Sequence, residues 1–553
     1  MSTRHAFSIY QITVLFIRQA GEIGGNMNHR LDVQERWTFT PIFRYLPIVV
    51  MVFIGAAIVG WITRDGVGMS GDSVWYQMGA ENILAGNGYM RFSGAGELRP
   101  ITHFPPFYSL FLAGIGLIGL DLSSIARWSN LILLGLNVVI TWKILRMASG
   151  SWILADLGAA FLVVNLATLK WYSWLMTEPL FSSLSLLCLY SVLRFANDRH
   201  LHNLLLAAVL AGLSVITRLI GYGLILACCG YIVINQHGAL RRRLTQSFLF
   251  FVISIIPSFI WLVYSSSVGA GTFNRAIIYH PMSIGLMKGY FLFLGDWIQV
   301  HRILPGEYRL LLAVFIVITG PLLFLASRIK AQRSGEASLF HVRDSAIWLL
   351  MLYSISYGLA LFLNSTFIDA STTPYAPERY LTSIYPIFVM LILLTYHRFW
   401  TWTKRRRDLA LLLSLLAGGI IFLQGDAAWQ EISRDRIPLG YTDFIEGHPA
   451  FVSRVRESIE SHTVYSNNPE LTYAISGRGA YILPYKYDSA TQEENPTFNQ
   501  DFKAMQEALS HGAQIVQYGE EDDQELELYT LLDLHIVNSS PEGAIYSAGT
   551  IPY

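Results

Sequence analysis

Charged side chains stand at the ends of long apolar segments in this sequence. The acids are Asp72 and Glu178, and the basic residues are Arg127, Arg218 and Arg379. A carboxylate can remove a proton from a hydroxyl group, and a guanidinium group can bind two phosphate oxygens at once. Ions beside hydrocarbon are costly unless they pair with each other or face a polar cavity. The pattern therefore predicts a polar cavity at a membrane surface, suited to a substrate with a polar head and a long lipid tail.

The composition places the chain among membrane proteins. Hydrophobic residues make up 53% of the sequence, charged residues only 14%, and the mean hydropathy is +0.41, far from the balance of a soluble domain. The 39 Lys and Arg residues equal the 39 Asp and Glu residues, but residues 425–553 contain 7 of the former and 21 of the latter. A basic membrane region and an acidic C-terminal region therefore occupy different surroundings.

A helix that crosses a bilayer needs about 20 mostly apolar residues, and about eleven segments meet that requirement. We therefore predict a polytopic α-helical membrane protein. The predicted spans are 45–62, 128–145, 152–170, 179–195, 203–217, 221–236, 247–264, 308–327, 345–363, 381–397 and 409–424. The apolar segment 106–119 is shorter and follows Pro105-Pro106, so we predict a re-entrant or interfacial helix within a first outer loop, 63–127.

The distribution of Lys and Arg supports this set of spans. Short cytoplasmic loops collect basic residues, and with residues 1–44 in the cytoplasm the basic clusters all fall on the inner side. The largest clusters are Arg241-Arg242-Arg243 and Lys404-Arg405-Arg406-Arg407. An odd number of spans then puts residues 425–553 outside. We expect the plasma (inner) membrane, with the charged candidates at its outer surface.

The C-terminal region has the pattern of a small α/β domain. Strand-like segments at 463–466, 480–483, 513–518 and 544–546 alternate with helix-like segments at 501–511 and 525–532. About 130 residues are enough for a separate core. This domain could recognise an acceptor, cover the site or recruit a partner.

An ordered set of short motifs fills the first outer loop. It consists of Gly71-Asp72-Ser73, Tyr76, the run Ala85-Gly86-Asn87-Gly88-Tyr89, and His103-Phe104-Pro105-Pro106. The set resembles the first outer loop of the bacterial GT-C glycosyltransferases, which are related to protein O-mannosyltransferases and aminoarabinose transferases. The resemblance covers roughly the first half of the chain well and the rest loosely. It implies transfer of a sugar, with inversion, from a polyprenyl-phosphate donor to a lipid, glycan or protein acceptor outside the cytoplasm.

The resemblance also implies roles for individual residues. Asp72 takes the place of the family's catalytic acid, and Glu178 matches a second acidic position that could assist acceptor activation. These two side chains could also hold a divalent metal ion. Arg379 matches a late-loop arginine that faces the donor phosphate, with Arg218 and Arg127 as further phosphate-binding candidates. Other candidates for the site are His103, Tyr76, Glu378 and Tyr380.

The two acids, the three arginines and His103 also have purely structural explanations. Asp72 could cap a helix, and Glu178 could be favoured by the helix dipole. An ion pair with Glu378 would account for Arg379. The side chains of Arg127 and Arg218 could extend to lipid headgroups. His103 could be an ordinary histidine at the membrane interface.

Two other classes of function fit parts of the sequence. A transporter or flippase of lipid-linked saccharides would use a similar substrate, but such proteins typically show repeated halves and broken helices near the bilayer midplane. A scaffold without catalysis would leave Asp72 and Glu178 unexplained. The sequence has no Walker-type glycine loop, no His-Glu-x-x-His and no Asp-x-Asp, and this fits a lipid-phosphate donor better than a nucleotide sugar. Nucleic acid is not expected as a partner.

Overall fold

The structure is a computed structural model that describes residues 41–94, 96–235, 239–268, 283–297, 342–367, 377–402, 407–435, 437–487, 494–521 and 523–548, with a few single positions between 279 and 311. The predicted N-terminal segment 1–44 lies almost entirely outside the described residues. So does most of the predicted span 308–327.

Helices overlap all the other predicted spans, although 152–170 and 381–397 are each interrupted. Among the described residues, five helices are long and apolar enough to cross a membrane, or six if one bent pair forms a single span. The chain is therefore a multi-pass membrane protein. The helices in this part are α1 Pro41–Ile62, α2 Gly71–Leu84, α3 Phe107–Gly116, α4 Leu122–Ser149, α5 Trp152–Val164, α6 Leu166–Tyr172, α7 Glu178–Asp198, α8 Leu201–Val215, α9 Tyr222–Asn235, α10 Leu240–Ser267, α11 Ile284–Asp296, α12 Val342–Phe367, α13 Pro377–Thr382, α14 Tyr385–Trp402 and α15 Arg407–Gln430.

The ends of these helices follow local sequence. Helix α4 begins after Asp121, whose side chain accepts a hydrogen bond from the Ser124 amide at 2.8 Å, and it ends at Gly150, which has φ of +73°. Both are common ways to satisfy the free backbone groups at a helix end. Capping therefore explains why α4 runs beyond the predicted span 128–145.

The predicted span 152–170 is not one straight helix. Helices α5 and α6 meet at an angle of 62°. Asn165 lies between them in an extended backbone conformation. Its side chain accepts a hydrogen bond from the Thr168 amide at 2.9 Å. An Asn side chain that caps a new helix competes with continuation of the preceding one. The break turns α6 toward the site described below.

Residues 63–127, the predicted first outer loop, contain helix α2, a short hairpin and helix α3. The hairpin pairs β1 Met90–Phe92 with β2 Leu98–Pro100 in antiparallel register. Helix α3 has ten residues and is about 15 Å long, too short for a hydrocarbon core of about 30 Å. The prediction that 106–119 does not cross the membrane agrees with this length.

The C-terminal residues form one five-stranded sheet with helices on both faces. The strand order is β4-β3-β5-β7-β6; β3 is parallel to β4 and β5, and β7 is antiparallel to β5 and β6. Separate apolar clusters lie on the two faces. The elements are α16 Tyr441–Gly447, α17 Pro449–Ser461, β3 Val464–Ser466, α18 Pro469–Ser476, β4 Tyr481–Ile482, α19 Phe498–Ser510, β5 Gln514–Tyr518, α20 Asp523–Thr530, β6 Leu534–Ser540 and β7 Gly543–Ala548.

Some of these elements were not predicted. Strand β6 ends in Asn538-Ser539-Ser540, and it lies at the edge of the sheet with Ile536 and Val537 exposed. An edge strand need not alternate apolar and polar residues, so the usual periodicity was absent. Helices α16 to α18 were missed as well, and α18 contacts helix α2.

Candidate active site

Backbone pairing brings the starts of helices α2 and α7 together. The Gly68 amide donates to the Ser173 carbonyl at 2.8 Å, and the Leu175 amide donates to the Gly68 carbonyl at 2.9 Å. Asp72 and Glu178 each follow this paired stretch by a few residues. Two acids that are far apart in the sequence therefore lie at neighbouring helix starts.

Asp72 is in the first turn of α2 but does not cap it. The N-cap is Ser70, whose backbone amide donates a hydrogen bond to Ser73 Oγ at 3.0 Å. The Asp72 carboxylate points to Arg379, with Oδ2 at 2.6 Å from Nη1. The structure thus assigns the cap to Ser70 and leaves the carboxylate of Asp72 to an ion pair.

Glu178 is the buried centre of the site. Its side chain is 1% exposed, and Oε1 lies 2.6 Å from Arg379 Nε. The same oxygen accepts a hydrogen bond from Arg218 Nη1, and that nitrogen also donates to Thr177 Oγ1 at 3.0 Å. A carboxylate this deep needs full compensation of its charge. Two guanidinium groups supply it, which is more than a favourable helix dipole would give.

Arg379 bridges the two carboxylates. It belongs to the short helix α13 and contacts Asp72 through Nη1 and Glu178 through Nε. Burial lowers its pKa, but the carboxylates of Glu178 and Asp72 outweigh this and raise the pKa well above the ordinary value. The side chain therefore stays charged. The ion pair with Glu378 considered from the sequence is not formed, because Glu378 contacts Lys170 at 2.7 Å instead.

Aromatic rings border the two arginines. Arg379 lies 6.0 Å from the centroid of the Trp171 ring, and Arg218 lies 5.5 Å from that of Tyr380. Such contacts stabilise a guanidinium group without using its hydrogen-bond donors. The backbone of Tyr380 is fixed as well, because its carbonyl accepts a hydrogen bond from the Tyr357 hydroxyl at 2.5 Å.

Tyr76 is next to this cluster but is a packing residue in the structure. Its ring contacts Phe104 and Tyr108, and the side chain is buried. Burial and the nearby carboxylate of Asp72 raise the pKa of Tyr76. The phenol is therefore neutral at physiological pH and supports the wall of the site.

Two predicted candidates are not brought into the cluster. Arg127 donates from Nη2 to the Gly60 carbonyl at 2.9 Å, so it ties α4 to the end of α1. The ring of His103 packs against Trp75 and Phe104. The structure thus joins Asp72, Glu178, Arg218 and Arg379, with Glu378 and Tyr380 at the edge.

One charged residue of the site was missed. Lys170 lies at the end of α6 and pairs with Glu378. The predicted span 152–170 included it as the last residue of a continuous apolar helix. A basic residue at the end of an apolar span, directly before Trp171 and Tyr172, is a signal that could have been used.

The same residues do not fit a divalent metal ion. Among the described residues, no three His, Cys, Asp or Glu side chains meet in one place. The two acids proposed as ligands, Asp72 and Glu178, already share the guanidinium group of Arg379. A cation placed between them would face the charge of Arg379 and of Arg218 at close range. We therefore assign no step of the chemistry to a metal.

Comparison with known structures identifies the fold. No protein-family model and no curated protein matches this sequence. The crystal structure of ArnT from Cupriavidus metallidurans bound to undecaprenyl phosphate superimposes with a TM-score of 0.55 at 14% identity, over 90% of this chain and 97% of that chain. The chain has the GT-C glycosyltransferase fold.

The GT-C fold covers more of the chain than the sequence motifs do. The motifs of residues 63–127 lie in the first half, whereas the superposition with ArnT includes 90% of the residues. The apo oligosaccharyltransferase of Archaeoglobus fulgidus also matches, with a TM-score of 0.49 and 12% identity over 94% of this chain and 76% of that chain. Low identity with a shared GT-C fold means that roles of individual residues have to be argued from their contacts here.

Proposed function

We propose that this protein is a membrane glycosyltransferase that transfers a sugar from a polyprenyl-phosphate donor to an acceptor outside the cytoplasm. The observation that carries the proposal is the bridge from Arg379 to Asp72 and Glu178, reinforced by Arg218. It combines a proton acceptor with two phosphate-binding groups in a chain that has the GT-C fold.

The reaction follows from these groups. Asp72 accepts the proton of the acceptor hydroxyl as its oxygen attacks the anomeric carbon of the donor sugar. The bond from that carbon to the phosphate oxygen breaks, and the electron pair leaves with the phosphate. Arg379 and Arg218 stabilise the negative charge that develops there. Attack from the side opposite the leaving phosphate inverts the anomeric centre.

The ion pair between Asp72 and Arg379 suggests an order of events. A carboxylate held by a guanidinium group is a poor proton acceptor, because its lone pairs are engaged. A phosphate that approaches Arg379 competes with Asp72 for the same donors. Donor binding would thus release the base, so that Asp72 becomes a proton acceptor only when a phosphate occupies the site.

The topology of the enzyme is part of this proposal. We propose about eleven spans in the plasma membrane, with the N-terminus in the cytoplasm and residues 425–553 outside as a small α/β domain. The cluster then lies at the outer surface, where polyprenyl-linked sugars meet extracytoplasmic acceptors. Transport of a lipid-linked saccharide is less well supported, since it requires neither a proton acceptor nor charge stabilisation at one point.

The experiment is mass spectrometry of envelope lipids and glycans from a deletion strain complemented with wild type, Asp72→Asn or Asp65→Asn. Asp65 is the matched control, because it is half-exposed and pairs with Arg64 on the surface. We expect one sugar to vanish on deletion and to return with wild type and Asp65→Asn only. Return of the sugar with a correctly inserted Asp72→Asn protein would overturn the assignment of Asp72 as base.

A further inference from the structure

The helix that carries Asp72 lies against the C-terminal unit, which we define as residues 437–548. Val74 and Met78 of α2 pack on Tyr473 of α18, and all three side chains are buried. Asp72 is in the first turn of the same helix. The location of the proposed base therefore depends on a surface that the C-terminal unit supplies.

Two side-chain hydrogen bonds join α2 to α18, and we name them the clamp. Trp75 Nε1 donates to Glu470 Oε1 at 2.9 Å, and the Tyr473 hydroxyl donates to a carboxylate oxygen of Glu81. Each helix supplies one carboxylate and one aromatic donor. The two contacts are about 1.7 turns apart along α2, so they oppose both sliding and rotation of the helix.

The surroundings of the clamp favour both bonds. Burial and the Glu81 carboxylate raise the pKa of Tyr473, so its hydroxyl remains a donor at physiological pH. The Arg91 guanidinium lies 4.1 Å from the centroid of the Trp75 ring, and the Phe92 ring stacks on Tyr473 with centroids 5.8 Å apart. Strand β1 thus covers the clamp from the side.

A backbone contact fixes the start of α2 as well. The Met69 amide donates to the Leu439 carbonyl at 3.0 Å, and the Tyr441 amide donates to the Met69 carbonyl at 2.9 Å. Gly440 between them has φ of +64°, and a Cβ there would lie 2.4 Å from the Met69 carbonyl oxygen. Only glycine allows this approach. The chain just before Asp72 is therefore tied to the first residues of the C-terminal unit.

We propose that the C-terminal unit is a positioning unit for Asp72, and that it acts through the clamp. This inference rests on the proposed function, because it assumes that Asp72 is the base. Trp75, Glu470, Tyr473 and Glu81 are positioning residues that hold α2 in the register where Asp72 meets Arg379. An error of about 1 Å in the placement of a reacting group can lower the rate on the order of 100-fold.

The test variant is the double substitution Trp75→Phe/Tyr473→Phe, which removes both hydrogen bonds and keeps an aromatic ring at each position. Tyr529→Phe/Tyr546→Phe is the control. Those hydroxyls donate to Gln517 at 2.7 Å and to Glu521 at 2.7 Å, on elements of the same unit that the clamp does not include. Both full-length proteins are purified in detergent and also expressed in the deletion strain.

Three measurements are made on each protein. We expect faster hydrogen exchange in residues 71–84 of the test variant only, together with a loss of sugar transfer by about 10- to 100-fold. Binding of undecaprenyl phosphate is expected to stay at the wild-type level, since Arg379 and Arg218 are on other elements. The control variant should match wild type in all three measurements.

Each other outcome contradicts the inference. Unchanged exchange in α2 would show that the clamp does not hold the helix, and a loss of transfer with unchanged exchange would assign these residues to acceptor binding. Faster exchange with full transfer would show that α2 needs no clamp to work. Failure of the proposed function itself has a different signature, because Asp72→Asn would then retain transfer whatever happens at the clamp.

Discussion

The substitution Glu178→Gln tests whether Glu178 belongs to a buried ion network or to an ordinary surface ion pair. Glu178 is 1% exposed, and its partners Arg218 and Arg379 are 11% and 18% exposed. Glutamine keeps the shape and one acceptor oxygen but removes the charge. Both guanidinium groups would then be left in a poorly hydrated site with only the Asp72 carboxylate between them.

The expected loss of stability is large. Removal of one partner of a buried ion pair costs about 3–5 kcal/mol, because the remaining charge stays desolvated. The matched control is Glu378→Gln. The Glu378 and Lys170 side chains are 32% and 29% exposed, and pairs accessible to solvent contribute about 0–1 kcal/mol. The two variants should therefore differ by at least about 2 kcal/mol.

The assay is the free energy of unfolding of the purified proteins in mixed detergent micelles, compared under one set of conditions. Undecaprenyl phosphate provides a second readout with the opposite sign. In the proposed reaction Glu178 and the donor phosphate compete for the same arginines, so the anionic lipid should bind Glu178→Gln about tenfold more tightly, a gain of about 1.4 kcal/mol. The bound lipid should also restore part of the lost stability.

The reasoning fails if the two variants are equally stable, because the network would then contribute no more than a surface pair. It also fails if Glu178→Gln binds undecaprenyl phosphate more weakly than wild type. In that case Glu178 would help to hold the phosphate site together, and it would not compete with the ligand.

Three further predictions concern the phosphate, the metal and the topology. Arg379→Ala should weaken binding of undecaprenyl phosphate by about 1.5–3 kcal/mol, the value of a hydrogen bond to a charged group. The control Arg127→Ala should bind the lipid normally, because Arg127 contacts the Gly60 carbonyl. Equal affinities of the two variants would reassign Arg379 to structure. Transfer in purified membranes should survive EDTA, because Arg379 already bridges the two acids; loss with EDTA and recovery with one divalent ion would refute this. A cysteine at Ser510 should react with an impermeant thiol reagent on intact cells, and one at Asn197 only after lysis; the reverse pattern would invert the topology.

Much of the fold could be predicted from contiguous stretches of sequence. Apolar runs of the right length located nearly all the described membrane helices, since hydropathy is a property of each segment by itself. Hydropathy did not predict the break at Asn165, because one capping side chain interrupts an otherwise continuous apolar run. Strand β6 was not predicted either, since an exposed edge strand lacks the alternation of apolar and polar residues that marks a half-buried strand.

The candidate site was predictable in its members but not in its contacts. The sequence placed the charged residues at the ends of apolar segments, where ions must have partners. It suggested Glu378 as the partner of Arg379 because the two are adjacent. In the structure, Arg379 reaches Glu178 across 201 positions of sequence, and Glu378 pairs with Lys170 across 208.

The sequence by itself determined that this is a membrane protein with helices at stated positions and with acids and arginines at their ends. Length, hydropathy and charge at a helix end are local properties, and local rules can be applied to them. Only the tertiary structure decided which charges meet and that α18 holds the helix of Asp72. Those contacts depend on the packing of segments hundreds of residues apart, and no periodicity within one segment encodes its distant neighbour.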